Sequence, residues 1–133
     1  RYYVPTRAAA VVYADAVRAA APPPLAVVDF ARRYGRRSRV RAVLFDTFQK
    51  DGSTLLDWLS VEELTGMVGT CRSAGVRVAL AGSLTAREVD RLAGVRPDWF
   101  AVRGAACDGG RGGAVSEQRV RELATLVRSL PRS

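Results

Sequence analysis

The chain has 133 residues, of which 48% are hydrophobic and 26% are charged, and it carries a formal net charge of +8. This length suits one domain, residues 1–133, around one hydrophobic core. No apolar run approaches the roughly 20 residues that a membrane-spanning helix needs. Histidine is absent, which excludes the Ser–His–Asp and Cys–His nucleophile arrangements.

Cysteine is used sparingly in this chain. Cys71 and Cys107 lie far apart in the sequence and do not have the spacing of a zinc site. This usage is typical of proteins from a reducing cytosol. We therefore expect a cytoplasmic protein without a bound metal. The chain begins at Arg1 rather than at methionine, which suggests a fragment, a processed product or an incomplete gene model.

The positive charge comes from twenty arginines and a single lysine, Lys50. Only segment 31–41 is densely basic, whereas a nucleic-acid-binding protein usually groups its cations on one element or stripe. We therefore expect arginine where other proteins use lysine, with neither a nucleic acid nor a membrane as partner. A basic nucleic-acid-binding module is an alternative that the charge alone supports.

The first predicted element is an apolar strand at residues 8–14, which we expect to be buried on both faces. Prolines then favour the entry of a helix within residues 21–35. A second strand spans residues 39–46. After a loop, Ser60 begins the next helix, because Glu63 lies at the spacing of a capping box.

The third predicted strand spans residues 76–82, and Thr85 begins a short helix that ends near Gly94. The fourth strand spans residues 98–104. A glycine-rich segment follows, which we expect to be a flexible lid or a surface loop. It leads to a last helix that begins at Ser116 and has apolar residues along one face.

These elements form four βα units, which predict an α/β fold with a parallel sheet covered by helices. A complete (βα)8 TIM barrel needs at least about 200 residues. The pattern therefore leaves two architectures open, half of a TIM barrel or a small open α/β sheet.

Polar residues follow each of the four predicted strands. In parallel α/β folds, the catalytic and binding groups gather at the carboxyl ends of the strands. In this chain those ends carry Asp15, Asp46, Gly82–Ser83 and Arg103–Gly104. We expect these residues to lie along one rim.

Asp46 and Lys50 are the candidates for catalysis. A carboxylate at the end of an apolar strand costs free energy unless it is paired, and Lys50 is four residues further along. An amine in such a place can act as a general acid, a proton relay or a Schiff-base nucleophile, whereas a guanidinium stays protonated. The alternative is that Lys50 belongs to an exposed turn, which the Asp-Gly pair after it favours.

Small residues follow the last two strands. Gly82, Ser83, Gly104 and Ala105 would let backbone N–H groups approach an anion, as in the phosphate sites of barrels. The alternative is that these glycines only permit tight turns between strand and helix.

Four segments together resemble the (5-formylfuran-3-yl)methyl phosphate synthase family, which forms the furan of methanofuran. They are YADA at 13–16, LFDTFQKDGSTLLD at 44–57, ALAGSL at 79–84 and VRGAACDGG at 102–110. The resemblance implies a TIM barrel and a lyase that joins two molecules of glyceraldehyde-3-phosphate with loss of phosphate and water. It implies aldol-type lysine chemistry without a metal or an organic cofactor.

The resemblance also implies roles for individual residues. Asp46 corresponds to the family's catalytic aspartate and Lys50 to its relay lysine, and Asp15 is a possible residue of the site rim. The residues implied in binding the substrate phosphate are Gly82, Ser83, Arg103, Gly104 and Ala105.

The family's first four βα units, including the lysine that forms the Schiff base, have no counterpart in these residues. We therefore expect the C-terminal half of a synthase, active when the N-terminal half is present. The alternative is a non-catalytic half-barrel that binds phosphorylated metabolites or assembles with itself. The expected partners are a phosphorylated small molecule and either a second copy of the chain or the N-terminal half.

Overall fold

The computed structural model describes residues 6–35 and 37–131, so that Arg36 of the basic segment lies outside the described residues. The strands are β1 Ala8–Tyr13, β2 Val40–Asp46, β3 Arg77–Leu80 and β4 Trp99–Phe100. The α-helices are α1 Pro24–Tyr34, α2 Leu55–Trp58, α3 Val61–Ser73, α4 Ala86–Arg91 and α5 Glu117–Ser129. Two short 3-10 helices cover Ala93–Val95 and Gly104–Ala106.

The four strands form one parallel sheet in the order β1-β2-β3-β4. Val12 pairs with Phe45, Phe45 with Leu80, and Leu80 with Phe100. The predicted α/β fold with a parallel sheet and intervening helices is therefore confirmed. Because all four strands run in the same direction, their carboxyl ends meet at one edge of the sheet.

The helices cover one face of this sheet. Helix α1 contacts β1 and β2, and α3 contacts β3. Val12 and Phe45 point toward these helices and are fully buried, whereas Val11, whose side chain points to the other face, is 40% exposed. The prediction that the first strand is buried on both faces is therefore wrong, since within residues 6–35 and 37–131 no helix layer covers the second face. We call this uncovered side the open sheet face.

The hydrophobic core lies between the sheet and the helices. Its largest members are fully buried aliphatic and aromatic side chains contributed by strands, helices and the residue that follows α4. They are Val12, Val43, Phe45, Leu55, Leu64, Val68, Val78, Leu80, Val89 and Leu92.

Strands β1 and β2 are one residue shorter than predicted, whereas β3 and β4 are shorter by three and five residues. Strand β3 ends at Leu80, because Gly82 takes a φ of +106° and turns the chain out of the sheet. For β4, the ladder ends where the N–H of Ala101 donates to the carbonyl of Leu80 (2.8 Å). The following residues enter the 3-10 helix, so that Arg103 and Gly104 leave the strand.

Three helix starts were predicted correctly, those at Ser60, Thr85 and Ser116. The hydroxyl of Ser60 accepts the N–H of Glu63, and the carboxylate of Glu63 accepts the N–H of Ser60, both at 3.0 Å. Thr85 begins α4 through the same reciprocal arrangement with Glu88. In the part of the chain that is described, no helix is long and apolar enough to cross a membrane.

The glycine-rich segment forms an exposed loop whose base is closed by backbone hydrogen bonds. The N–H of Asp108 donates to the carbonyl of Ala114 (2.9 Å), next to an antiparallel bridge between Cys107 and Val115. The predicted surface loop is confirmed.

The apolar side of α5 is not buried, since Val127 remains 39% exposed.

Candidate active site

The carboxyl edge of the sheet borders a cavity of about 980 Å³. Loops after β2, β3 and β4 and the start of α5 surround it. Seven of the eight site residues predicted from the sequence line this cavity, namely Asp46, Lys50, Gly82, Ser83, Arg103, Gly104 and Ala105. The structure therefore brings these seven together, as the positions of the strand ends predicted.

Lys50 and Asp46 form an ion pair at the mouth of β2. The Nζ of Lys50 lies 2.9 Å from Oδ1 of Asp46. The same Nζ donates to the carbonyl oxygen of Thr47 (2.5 Å) and to its hydroxyl (3.1 Å). Because the lysine turns back toward the strand end, it does not project into solvent as a free turn residue would.

This arrangement limits the chemistry that the pair can perform. Three oxygens lie within hydrogen-bond distance of the Lys50 Nζ, which matches the three N–H donors of an ammonium group. Each side chain of the pair remains about a quarter exposed, at 26% for Lys50 and 27% for Asp46. A small molecule in the cavity can exchange a proton with Lys50 when its oxygen takes the place of one of these three acceptors, while Asp46 balances the charge.

The loops after β3 and β4 can receive an anion. Ser83 takes a φ of +53°, an uncommon conformation for a residue with a side chain. Among the described residues, the backbone N–H groups of Ser83, Leu84 and Ala105 donate no hydrogen bond. All three residues line the cavity, together with the cationic Arg103. Free N–H donors beside a cation are typical of a phosphate-binding site.

The loop after β2 contains a helix that the sequence analysis missed. Helix α2 begins with a reciprocal cap between Thr54 and Asp57, a signal that Thr-x-x-Asp in the sequence offered. The N–H of Leu55 donates to the carbonyl of Gly82 (3.0 Å). This bond ties the loop that carries Lys50 to the loop that carries Ser83.

Three cations on the cavity wall were not predicted from the sequence. Arg87, Arg111 and Arg119 line the cavity from α4, the glycine-rich loop and α5. Arg87 follows the Gly-Ser pair closely in sequence, which was an available signal, whereas the other two depend on how the last loop folds back. Within the described residues, no group of three or more Cys, Asp or Glu side chains is placed to hold a metal ion.

Asp15 does not line the cavity. Its carboxylate is buried, with 1% of the residue exposed, and accepts the backbone N–H groups of Phe48 (2.7 Å) and Gln49 (3.0 Å). Burial acts to raise the pKa of Asp15, but these backbone hydrogen bonds outweigh it and hold the pKa below its ordinary value of 3.8. The carboxylate therefore stabilises the fold above that ordinary value, and the stabilisation is lost as the pH falls through the lower folded value.

Fold and site together define a parallel α/β protein with an ion-paired lysine and two loops with free backbone N–H groups at the carboxyl edge of its sheet. Residues 2–124 match the family model of the 4-HFC-P synthases. The chain therefore belongs to the 4-HFC-P synthase family.

Individual relatives carry a more specific name. The chain is 39% identical over 118 residues to the (5-formylfuran-3-yl)methyl phosphate synthase of Methanocaldococcus jannaschii, covering 87% of this chain and 48% of that protein. It is 37% identical to the synthase of the same name from Methanopyrus kandleri, covering 92% of this chain and 51% of that protein. It is 41% identical over 98 residues to a protein of Streptomyces griseus named putative (5-formylfuran-3-yl)methyl phosphate synthase, covering 74% of this chain and 38% of that protein. The chain spans about half the length of the curated relatives that it matches.

Proposed function

We propose that this chain is the part of a (5-formylfuran-3-yl)methyl phosphate synthase that carries the acid–base pair and the phosphate-binding loops. The observation that carries the proposal is the ion pair of Lys50 with Asp46 on the wall of a cavity that free backbone N–H groups also line. Membership in the 4-HFC-P synthase family supports it. The reaction is the joining of two molecules of glyceraldehyde-3-phosphate to a furan phosphate, with loss of phosphate and water, as a carbon–oxygen lyase.

In this proposal, Lys50 moves protons rather than forming a covalent bond. Its ammonium gives a proton to an oxygen atom of the bound aldehyde or of a departing hydroxyl. Asp46 stabilises the ammonium when the proton returns. Lys50 is the chain's only lysine, so a Schiff base on a different lysine would be supplied by the half of the enzyme that these residues do not represent. We call the chain together with the unmatched half of a relative the completed enzyme.

The substrate's phosphate is assigned to the loops after β3 and β4. The N–H groups of Ser83 and Ala105 supply hydrogen bonds, and the guanidinium of Arg103 supplies charge. A phosphate held there lies in the same cavity as Lys50. The hydrogen bond between Leu55 and Gly82 joins the two loops and so helps to keep Lys50 at a constant distance from the bound phosphate.

The assigned phosphate site is tested by replacing Gly82 with alanine. A Cβ there would lie 3.2 Å from the side chains of both Leu55 and Thr47, at a φ of +106° that disfavours any side chain. The loop must shift, and we expect the affinity for inorganic phosphate and for glyceraldehyde-3-phosphate to fall about tenfold, the factor for losing one hydrogen bond to a charged group. Isothermal titration calorimetry measures both affinities.

Gly94→Ala is the matched control. An added Cβ at this position, in the 3-10 helix Ala93–Val95, meets no described atom within 4 Å, so binding should stay at the level of the unmodified chain. Equal affinities for phosphate in the Gly82→Ala and unmodified chains would contradict the assigned phosphate site. Phosphate binding without turnover in the completed enzyme would support the non-catalytic alternative.

A further inference from the structure

A buried carboxylate holds the backbone beside Lys50. Charged residues are rarely buried fully unless they are paired, yet Asp15 is 1% exposed and lies outside the cavity. Its two oxygens accept the N–H groups of Phe48 and Gln49, residues more than 30 positions away in sequence. The first turn after β1 is therefore fastened to the segment that precedes Lys50.

Arg18 holds the same segment through the side chains of Gln49 and Asp51. Its guanidinium donates to the carboxylate of Asp51 (2.7 Å) and to the side-chain oxygen of Gln49. The guanidinium also lies 5.1 Å above the ring of Trp58, which holds it in place. Hydrogen bonds from Ser53 and from Arg18 hold the pKa of Asp51 well below its usual range, so Asp51 remains a charged acceptor at neutral pH.

Lys50 lies between these anchored residues. Asp15 fixes positions 48 and 49, and Arg18 fixes positions 49 and 51. A lysine side chain has four rotatable bonds and loses much conformational freedom when it is held in one position. Its contact with Asp46 (2.9 Å) therefore depends on a backbone that is already placed.

From these contacts we propose that Asp15 and Arg18 are positioning residues for Lys50. They act by fixing segment 47–51, so that the ammonium stays on Asp46 and Thr47 and faces the cavity. The proposal deepens the proposed function and rests on it for the role of Lys50. The geometric part concerns the chain alone and can be tested without substrate.

The single lysine makes the test direct. Acetylation of the native chain with an N-hydroxysuccinimide ester modifies Lys50 and the terminal amine, and mass spectrometry of proteolytic fragments separates the two. We expect slow acetylation of Lys50 in the unmodified chain, because three oxygens hold its Nζ. In Asp15→Ala the acetylation rate of Lys50 should rise about fivefold, the factor that corresponds to one net hydrogen bond.

Asp98→Ala is the control for the loss of a carboxylate that accepts a backbone N–H. Asp98 also accepts a backbone N–H, that of Val78 (2.8 Å), but it lies before β4, at the opposite end of the sheet from Lys50. Because Asp98 is exposed and accepts one N–H, Asp98→Ala should lower the thermal stability less than Asp15→Ala does, and it should leave the acetylation rate of Lys50 unchanged. An unchanged rate in Asp15→Ala, or an equal increase in both variants, would overturn the proposal.

Arg18→Met provides a second test that keeps the Asp15 carboxylate and its two backbone hydrogen bonds but removes the guanidinium, whose Nε lies 3.9 Å from Oδ2 of Asp15. The side chain of Arg18 is 27% exposed, and methionine keeps an apolar contact with Trp58. The acetylation rate of Lys50 should again rise, and an unchanged rate in this variant would contradict the proposal if Asp15→Ala fails to fold.

In the completed enzyme, either substitution should lower kcat with little change in KM. If the completed enzyme forms no furan phosphate, the proposed function fails while the acetylation rates still decide the positioning role.

Discussion

Lys50→Arg is expected to lower the rate of furan-phosphate formation by the completed enzyme at least about 100-fold, the lower end of what general acid–base catalysis contributes. Arginine keeps the positive charge and can keep the contact with Asp46. It cannot release a proton at a usable pH, however. The loss should therefore appear in kcat, while the thermal stability of the chain changes little.

Arg121→Lys is the control for this substitution, because it exchanges the same two residue types on the exposed surface of α5, where Arg121 pairs with Glu117. Its rate should match that of the unmodified enzyme. The assay follows furan phosphate formed from glyceraldehyde-3-phosphate by chromatography. A full rate in Lys50→Arg would exclude proton transfer by this residue.

The isolated chain is expected to self-associate through the open sheet face. Val11 and Trp99 on this face are 40% and 47% exposed, and β1 and β4 are edge strands in the described sheet. Apolar surface and unpaired strand edges of this kind favour association. Sedimentation velocity should show a dimer or a larger species. A stable interface between the copies would bury at least about 1,200 Å² in total.

Substitutions can locate this association on the sheet. Val11→Glu places a charge on the open face and should convert the dimer to a monomer. Val17→Glu, at a position 96% exposed after β1, should leave the dimer intact. A sharp monomer peak for the unmodified chain, with cooperative thermal unfolding, would show instead that the open sheet is self-sufficient.

The fold could be predicted from sequence to the level of its elements. Apolar segments without alternation indicated four strands, and capping patterns such as that of Ser60 and Glu63 located the helix starts. The same apolar segments indicated burial on both faces, which is wrong for β1. Apolar composition shows what a strand can bury, but whether a second layer covers it depends on residues elsewhere.

The site could be predicted where it depends on strand ends. Asp46, Lys50 and the two glycine-containing loops follow strands directly, so the parallel topology alone brings them to one edge. The position of Asp15 outside the cavity could not be found in this way, because it depends on hydrogen bonds to Phe48 and Gln49 across more than 30 residues. Local pattern carries no information about such a contact.

The most direct test of the account is to mix this chain with the half of the Methanocaldococcus jannaschii relative that it does not match, and to measure furan phosphate from glyceraldehyde-3-phosphate. Sedimentation of the mixture first establishes that the two parts bind. Furan phosphate is expected only when both parts are present, and it should not form when this chain carries Asp46→Asn. An assembled complex that binds the substrate but forms no furan phosphate, or that forms it equally well with Asp46→Asn, would contradict the account.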